Sequence, residues 1–114
     1  MDIKIAVKDK ENYGEIVNWF RSRETLDMDD MVLLVDTIEA MSEEIFEHYR
    51  ALQDICRKEI KQIQNRYRAE ADPDAVWDGT DRTRLAYVIE KACSLGVLLP
   101  EKYEDMAGNL TADK

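Results

Sequence analysis

Three glutamates, Glu43, Glu44 and Glu47, come closest in this sequence to a motif that could do chemistry. On a helix, the pattern EExxE brings carboxylates to one side, where they can hold Mg²⁺ for phosphate hydrolysis. Such a site needs a second acidic helical motif, and none follows at a suitable distance. The favoured interpretation is a solvated helix face, and a metal-dependent helical hydrolase is the alternative.

Two other patterns suggest a ligand, but each lacks a necessary partner. His48 is the sole histidine and supplies, with Glu44, at most two metal ligands. Counting from Asp74 puts Gly79 at the sixth position of a calcium-binding loop, but the twelfth is Leu85 instead of Glu. The sequence also has no nucleophile motif and no glycine-rich phosphate loop. We therefore predict no metal, no cofactor and no catalytic residue.

Charge and cysteine usage narrow the function classes. The 114 residues are 36% charged with a net charge of −9, which opposes binding to nucleic acid and to anionic membranes. An acidic inhibitor that mimics DNA is a second alternative. Cys56 and Cys93 lie outside metal-binding spacings and are expected to be reduced, and the N-terminus does not resemble a signal peptide. These features predict a cytoplasmic protein.

The elements that must position these residues are mostly helical. We predict a single helical domain over 1–108, a frayed tail over 109–114, and one long central helix over about 27–71 with shorter helices on it. Asp27 is the expected N-cap of the long helix, and no Gly or Pro follows before Pro73. Such a helix would be roughly 65 Å long. It therefore outgrows a globule of this size or bends.

The shorter elements carry weaker patterns. Alternation from Ile3 to Val7 predicts a short strand, and Val97–Leu99 could pair with it, so we expect at most a small two-stranded β element. Two shorter helices are expected from apolar spacing, and Gly96 suits the C-terminal cap of the second. Their predicted buried faces are Tyr13, Ile16, Val17 and Phe20, and Leu85, Val88, Ile89, Ala92 and Leu95. Pro100 should open a last short helix.

The long helix carries an apolar stripe with an 11-residue repeat. This period means about 3.67 residues per turn, so the stripe runs nearly straight along the helix. Past Cys56 only the stripe is apolar, and we expect it to be exposed on the monomer. Its members are Leu34, Ile38, Met41, Ile45, Tyr49, Leu52, Cys56, Ile60, Ile63 and Tyr67.

The two halves of this helix differ in charge. Residues 27–54 contain nine acids and one Arg, whereas residues 57–68 contain five bases and one Glu. Two antiparallel copies would place the acidic half on the basic half. This predicts a non-catalytic interaction module (a regulator, adaptor or inhibitor) that forms a homodimer and binds another protein. The expected interface residues are Cys56, Arg57, Ile60, Ile63, Arg66, Tyr67 and Arg68. Replacing Ile60 and Ile63 with Asp should then split the dimer and leave the monomer helical.

Overall fold

The computed structural model describes residues 2–23, 26–41, 43–69, 79–101 and 103, with the side chains at 66–69 and 79–82 outside that description. Within this part the chain is helical and contains no β-strand. Its elements are α1 (Ile3–Ala6), a 3-10 turn (Lys10–Asn12), α2 (Tyr13–Arg21), α3 (Met28–Ala40), α4 (Phe46–Ala69) and α5 (Gly79–Ser94). The packed helices measure 45 × 25 × 21 Å overall.

α3 begins where the sequence predicts a helix start. Asp27 is the N-cap, and its Oδ1 accepts a hydrogen bond from the backbone N–H of Asp30 at 2.8 Å. This bond satisfies one of the amides that the first helical turn leaves without a partner. Leu26 and Met31, which flank the cap, are both buried. A second contact holds this end, because Arg23 Nε donates to Asp30 Oδ2 at 2.7 Å.

The predicted long helix is wrong, because the chain breaks between α3 and α4. Met41 takes an extended conformation with φ −77° and ψ 140°, and Ile45 supplies the carbonyl that receives the first amides of α4. The turn lets α4 pack on both α2 and α3. Leu52, Cys56 and Ile60 are thereby fully buried. Each such burial contributes about 1.5–3 kcal/mol, more than the net ~1 kcal/mol of a backbone hydrogen bond lost at the break.

The predicted strand at the N-terminus is also wrong. Ile3–Ala6 forms a helical turn capped by Asp2, whose side chain accepts from the Lys4 amide at 3.0 Å. Ile3 and Val7 are buried at helical spacing, while Ile5 is exposed. Burial at i and i+4 is a helical pattern, and it replaces the alternation that a strand would need.

The segment after α5 closes that helix instead of pairing with a strand. Gly96 adopts φ 76°, a conformation that glycine accepts without steric cost. The amide of Val97 donates to the carbonyl of Ala92 at 2.8 Å, and the amide of Gly96 to Cys93 at 3.1 Å. This pair of bonds is a Schellman motif, so the predicted cap at Gly96 is confirmed.

The faces predicted for α2 and α5 are confirmed as core. All four residues of the α2 face are buried, as are Leu85, Val88, Ile89 and Ala92 of α5, with Leu95 half-buried. α5 packs on α3. The two helices run in the same direction, because residues further along α3 contact residues further along α5. Those contacts are Asp29–Arg84, Asp36–Tyr87 and Glu39–Lys91.

Candidate interaction surface

α4 has one side in the core and one side facing outward. The buried side contains Tyr49, Leu52, Cys56, Ile60 and Gln64. Opposite it lies what we call the outward face of α4, made of exposed charged side chains spaced three or four residues apart. Its members, all exposed, are Glu47, Arg50, Asp54, Lys58 and Lys61.

The charges on the outward face follow a definite order. Glu47 is negative, Arg50 positive, Asp54 negative, and Lys58 and Lys61 positive. When the first four charges, from Glu47 to Lys58, are reversed and laid against themselves, each negative charge meets a positive one, and Lys61 lies beyond the paired stretch. Two antiparallel copies of α4 would therefore be complementary along this face.

A large apolar side chain stands at the acidic end of this face. Phe46 is the first residue of α4 and is 62% exposed. Glu43 and Glu44 precede it in the turn, and Glu47 follows it. The Lys10 ammonium pairs with Glu44 and, through that hydrogen bond, lowers the pKa of the carboxyl. An exposed aromatic ring with acidic neighbours therefore marks this end of α4.

A depression lies beside the middle of the same helix, where the outward face becomes basic. We call it the basic depression; it has a volume of about 230 Å³. Arg57 joins its two sides, because Nε donates to the Val97 carbonyl at 2.8 Å while a terminal nitrogen donates to Asp54 at 2.8 Å. Leu99, at its edge, is 51% exposed. The lining residues are Arg57, Lys61, Val97, Leu98, Leu99 and Tyr103.

The residues predicted as an interface divide into three groups. Cys56 and Ile60 are 0% exposed within the single chain and Ile63 is half-buried, so this stretch of the apolar stripe is core. Arg57 reaches the surface at the basic depression. The remaining three, Arg66, Tyr67 and Arg68, belong to α4 by their backbone, and their side chains lie outside the described residues. A surface for a second copy must therefore use the outward face instead of Cys56 and Ile60.

The acidic side of α3 already has positive partners within the chain. Arg84 pairs with Asp29 at 3.2 Å, and Lys91 pairs with Glu39 at 2.7 Å. Tyr87 donates its hydroxyl to Asp36 at 2.5 Å, and this bond raises the pKa of the tyrosine. Three acids of α3 are therefore engaged by side chains of α5 within one chain.

A wider groove runs between α1, α3 and α5. Its volume is about 580 Å³, within the range of ligand-binding clefts. Half-buried Val32 and Leu33 form an apolar floor, and Lys4, Asp29 and Arg84 stand at the rim. Because two of these rim charges, on Asp29 and Arg84, already pair with each other, the groove shows no preference for a ligand of one sign.

The geometry of the EExxE motif differs from the expected one. Only Glu47 lies on α4; Glu43 and Glu44 precede the helix, so the three carboxylates do not share a helical face. His48 is half-buried and lines a groove with Gly14 and Val17. Among the described residues, no three His, Cys, Asp or Glu side chains are grouped as metal ligands. The first part of the calcium-loop pattern, which begins at Asp74, lies outside the described residues.

Cys56 gives a prediction about pH. Burial raises the pKa of its thiol from 9.0 to about 12. The unfolded chain releases this proton at the ordinary pKa and the folded chain retains it, so unfolding releases a proton between pH 9 and pH 12. The free energy of unfolding should therefore fall as pH rises through this range. Urea denaturation at pH 8 and pH 10 measures the change.

The matched control for this prediction is Cys56→Val, which keeps an apolar group of similar size. It should lose the part of the pH dependence that comes from the thiol. An equal fall in the free energy of unfolding in both proteins would show that Cys56 ionises normally in the folded state.

Comparison with known proteins adds no relative to these observations. No family model, curated protein or solved structure matches this chain. No helix in the described part is both long and apolar enough to cross a membrane. The fold and surface together define a small all-α protein with an exposed, charge-ordered helix.

Sequence reasoning missed two residues of this surface, Phe46 and Leu99. Phe46 falls outside the apolar stripe and lies between Glu44, two residues before it, and Glu47, directly after it, which was the available signal of an exposed aromatic. Leu99 had no such signal, because its exposure depends on how the chain leaves the Schellman motif at Gly96. Both are among the large hydrophobic side chains that the fold leaves exposed.

Proposed function

We propose that this protein is a non-catalytic protein-interaction module, a regulator, adaptor or inhibitor, that self-associates through α4. The single observation that carries the proposal is the order of charges on the outward face of α4. Asp54 contacts Arg57 of its own chain and is still 61% exposed, so it can also accept Arg50 of the other copy. Pairing Arg50 of one copy with Asp54 of the other puts a two-fold axis at the level of residue 52. The same axis brings Glu47 to the level of Arg57, next to Lys58 of the second copy, and every contact occurs twice.

The size of this face indicates a dissociable dimer. α4 has 24 residues and is therefore about 36 Å long. One face of a single helix buries less area than the roughly 1,600 Å² of a standard stable interface. We therefore expect a dimer that depends on protein concentration and, because its contacts are exposed ion pairs, on salt.

The two alternative functions gain no specific support. The hydrolase requires carboxylates that share a helix, whereas Glu43 and Glu44 lie before α4. The acidic mimic requires free acidic side chains, whereas Asp29 and Glu39 are paired with cations of α5. The outward face of α4 has a specific complement in a second copy, and this favours the interaction module.

Exchange of charges between two variants tests the proposal. Glu47→Lys alone and Lys58→Glu alone should each weaken self-association roughly tenfold, because two ion pairs become two repulsive contacts. An equimolar mixture should regain the original affinity, because in the mixed dimer each of the two contacts again joins one positive and one negative side chain. Sedimentation velocity over a range of concentrations measures all three samples.

The control is Glu15→Lys, which makes the same charge change at an exposed position of α2. It changes the net charge of the protein by the same amount as Glu47→Lys, and it should leave self-association unchanged. A mixture that associates no better than either single variant would contradict antiparallel pairing through α4.

A further inference from the structure

Phe46 and the basic depression lie toward the same edge of α4, Phe46 at its first residue and the depression beside its middle, at Arg57 and Lys61. Phe46 and Arg57 are separated by 11 residues, close to three helical turns, so both project from one edge of the outward face. The depression extends this edge with Leu99 and the segment that follows α5. An apolar group and an apolar-floored depression thus occur at the two ends of one surface.

We infer that Phe46 of one copy occupies the basic depression of a second copy, an inference that rests on the proposed self-association. In the antiparallel arrangement around residue 52, position 46 of one copy lies at the level of Arg57 and Lys58 of the other. A two-fold axis between two antiparallel helices places each edge of one helix beside the same edge of the other. Phe46 and the depression lie on the same edge of α4, so Phe46 of one copy meets the depression of the other. The two-fold axis repeats this contact.

The chemistry of the two ends is complementary. Phe46 is apolar and flanked by Glu43 and Glu47, while the depression joins apolar Val97 and Leu98 to the cations of Arg57 and Lys61. The ring would bury apolar surface against the floor, and the cations would lie near its face and near the glutamates. A second copy of this chain therefore supplies an aromatic ring for the apolar floor and negative charges for the cations of the depression.

The contact should add to the binding free energy that the ion pairs supply. Aromatic side chains that enter a well-packed pocket are frequent hot spots, with losses of more than about 1 kcal/mol on truncation. Phe46→Ala should therefore weaken self-association at least about tenfold. Because the ring is 62% exposed in the monomer, thermal stability at low protein concentration should stay the same.

Disulfide cross-linking between two variants tests the contact directly. Both variants carry Cys93→Ser, and Cys56 is retained because it is buried. One further carries Phe46→Cys and a tag that changes its mass, and the other carries Leu99→Cys. Under mild oxidation with copper phenanthroline, the mixture should give a heterodimeric disulfide in high yield. Ile5→Cys mixed with Leu99→Cys, an equally exposed pair, should give little.

Light scattering on the same samples separates the possible failures. A dimeric mixture without the Phe46→Cys to Leu99→Cys disulfide would overturn this inference and leave self-association through α4 intact. Unmodified protein that is monomeric at every concentration would overturn both. Preferential cross-linking from Ile5→Cys would place the α1 end of the second copy in the depression, which also overturns the inference.

Discussion

Ile60→Asp should unfold this protein rather than split a dimer. Ile60 is 0% exposed on the inner side of α4, so the substitution would place a carboxylate in the core. An unpaired buried charge costs several kcal/mol, and lost packing adds about 2–5 kcal/mol. A domain is stable by only about 5–15 kcal/mol. Far-ultraviolet circular dichroism should show most of the helical signal lost at 25 °C.

The control is Gln62→Asp, which introduces the same residue two positions away on an exposed part of α4. It should keep a cooperative melting transition within a few degrees of the unmodified protein. A helical, cooperatively melting Ile60→Asp protein with impaired self-association would contradict the buried position of Ile60 and restore the stripe as an interface. The two substitutions therefore distinguish a core position from a surface one.

Phe20→Ala should have the next largest effect on stability. Phe20 is 1% exposed on α2, and the ring of Trp19 meets it edge-on with centroids 4.9 Å apart. Removing the ring leaves a cavity in the core beneath α2, which packs on both α1 and α4. Substitutions of this kind cost about 3–5 kcal/mol. Urea denaturation should show a lower midpoint with a similar slope.

Phe46→Ala is the matched control, because it removes the same side chain from an exposed position. It should leave the urea midpoint unchanged, since the ring of Phe46 is already solvated in the monomer. Equal losses of stability from the two substitutions would mean that Phe46 packs inside the monomer. The pair thus separates the aromatic residue that holds the fold from the one we assign to association.

Local signals in the sequence were enough to predict much of the helical framework. Asp27 caps α3 as expected, because its side chain and the helix amide lie three residues apart and need no distant partner. The buried face of α2 and the cap at Gly96 follow from spacing and backbone preference in the same way. Each of these features depends on neighbours within about one helical turn.

The break between α3 and α4 has no such local signal. No Gly or Pro lies near Met41, and helix propensity alone would continue the helix through Ile45. The break is stabilised by the burial of Leu52, Cys56 and Ile60 in the core as α4 packs on α2 and α3, which is a property of the tertiary fold. The 11-residue repeat was therefore a real pattern, but it marks a core shared by two helices.

The candidate site was predictable only in its charge. Opposite charge in the two ends of the helix was visible in the sequence, and the outward face of α4 retains that contrast between Glu47 and Lys58. The break between α3 and α4 decides which side of α4 faces outward. Because the sequence predicted an unbroken helix, Cys56 and Ile60 were wrongly assigned to an exposed surface. Phe46 and Leu99 became candidates only once their exposure was known.

The central claim is that α4 pairs with α4 of a second copy through ionic contacts. Light scattering on a sizing column, at low and high salt and over a range of loading concentrations, tests it most directly. We expect a mass that rises above the 13.3 kDa of one chain toward twice that value at low salt and falls back at high salt. A mass of one chain at every low-salt concentration would contradict the claim.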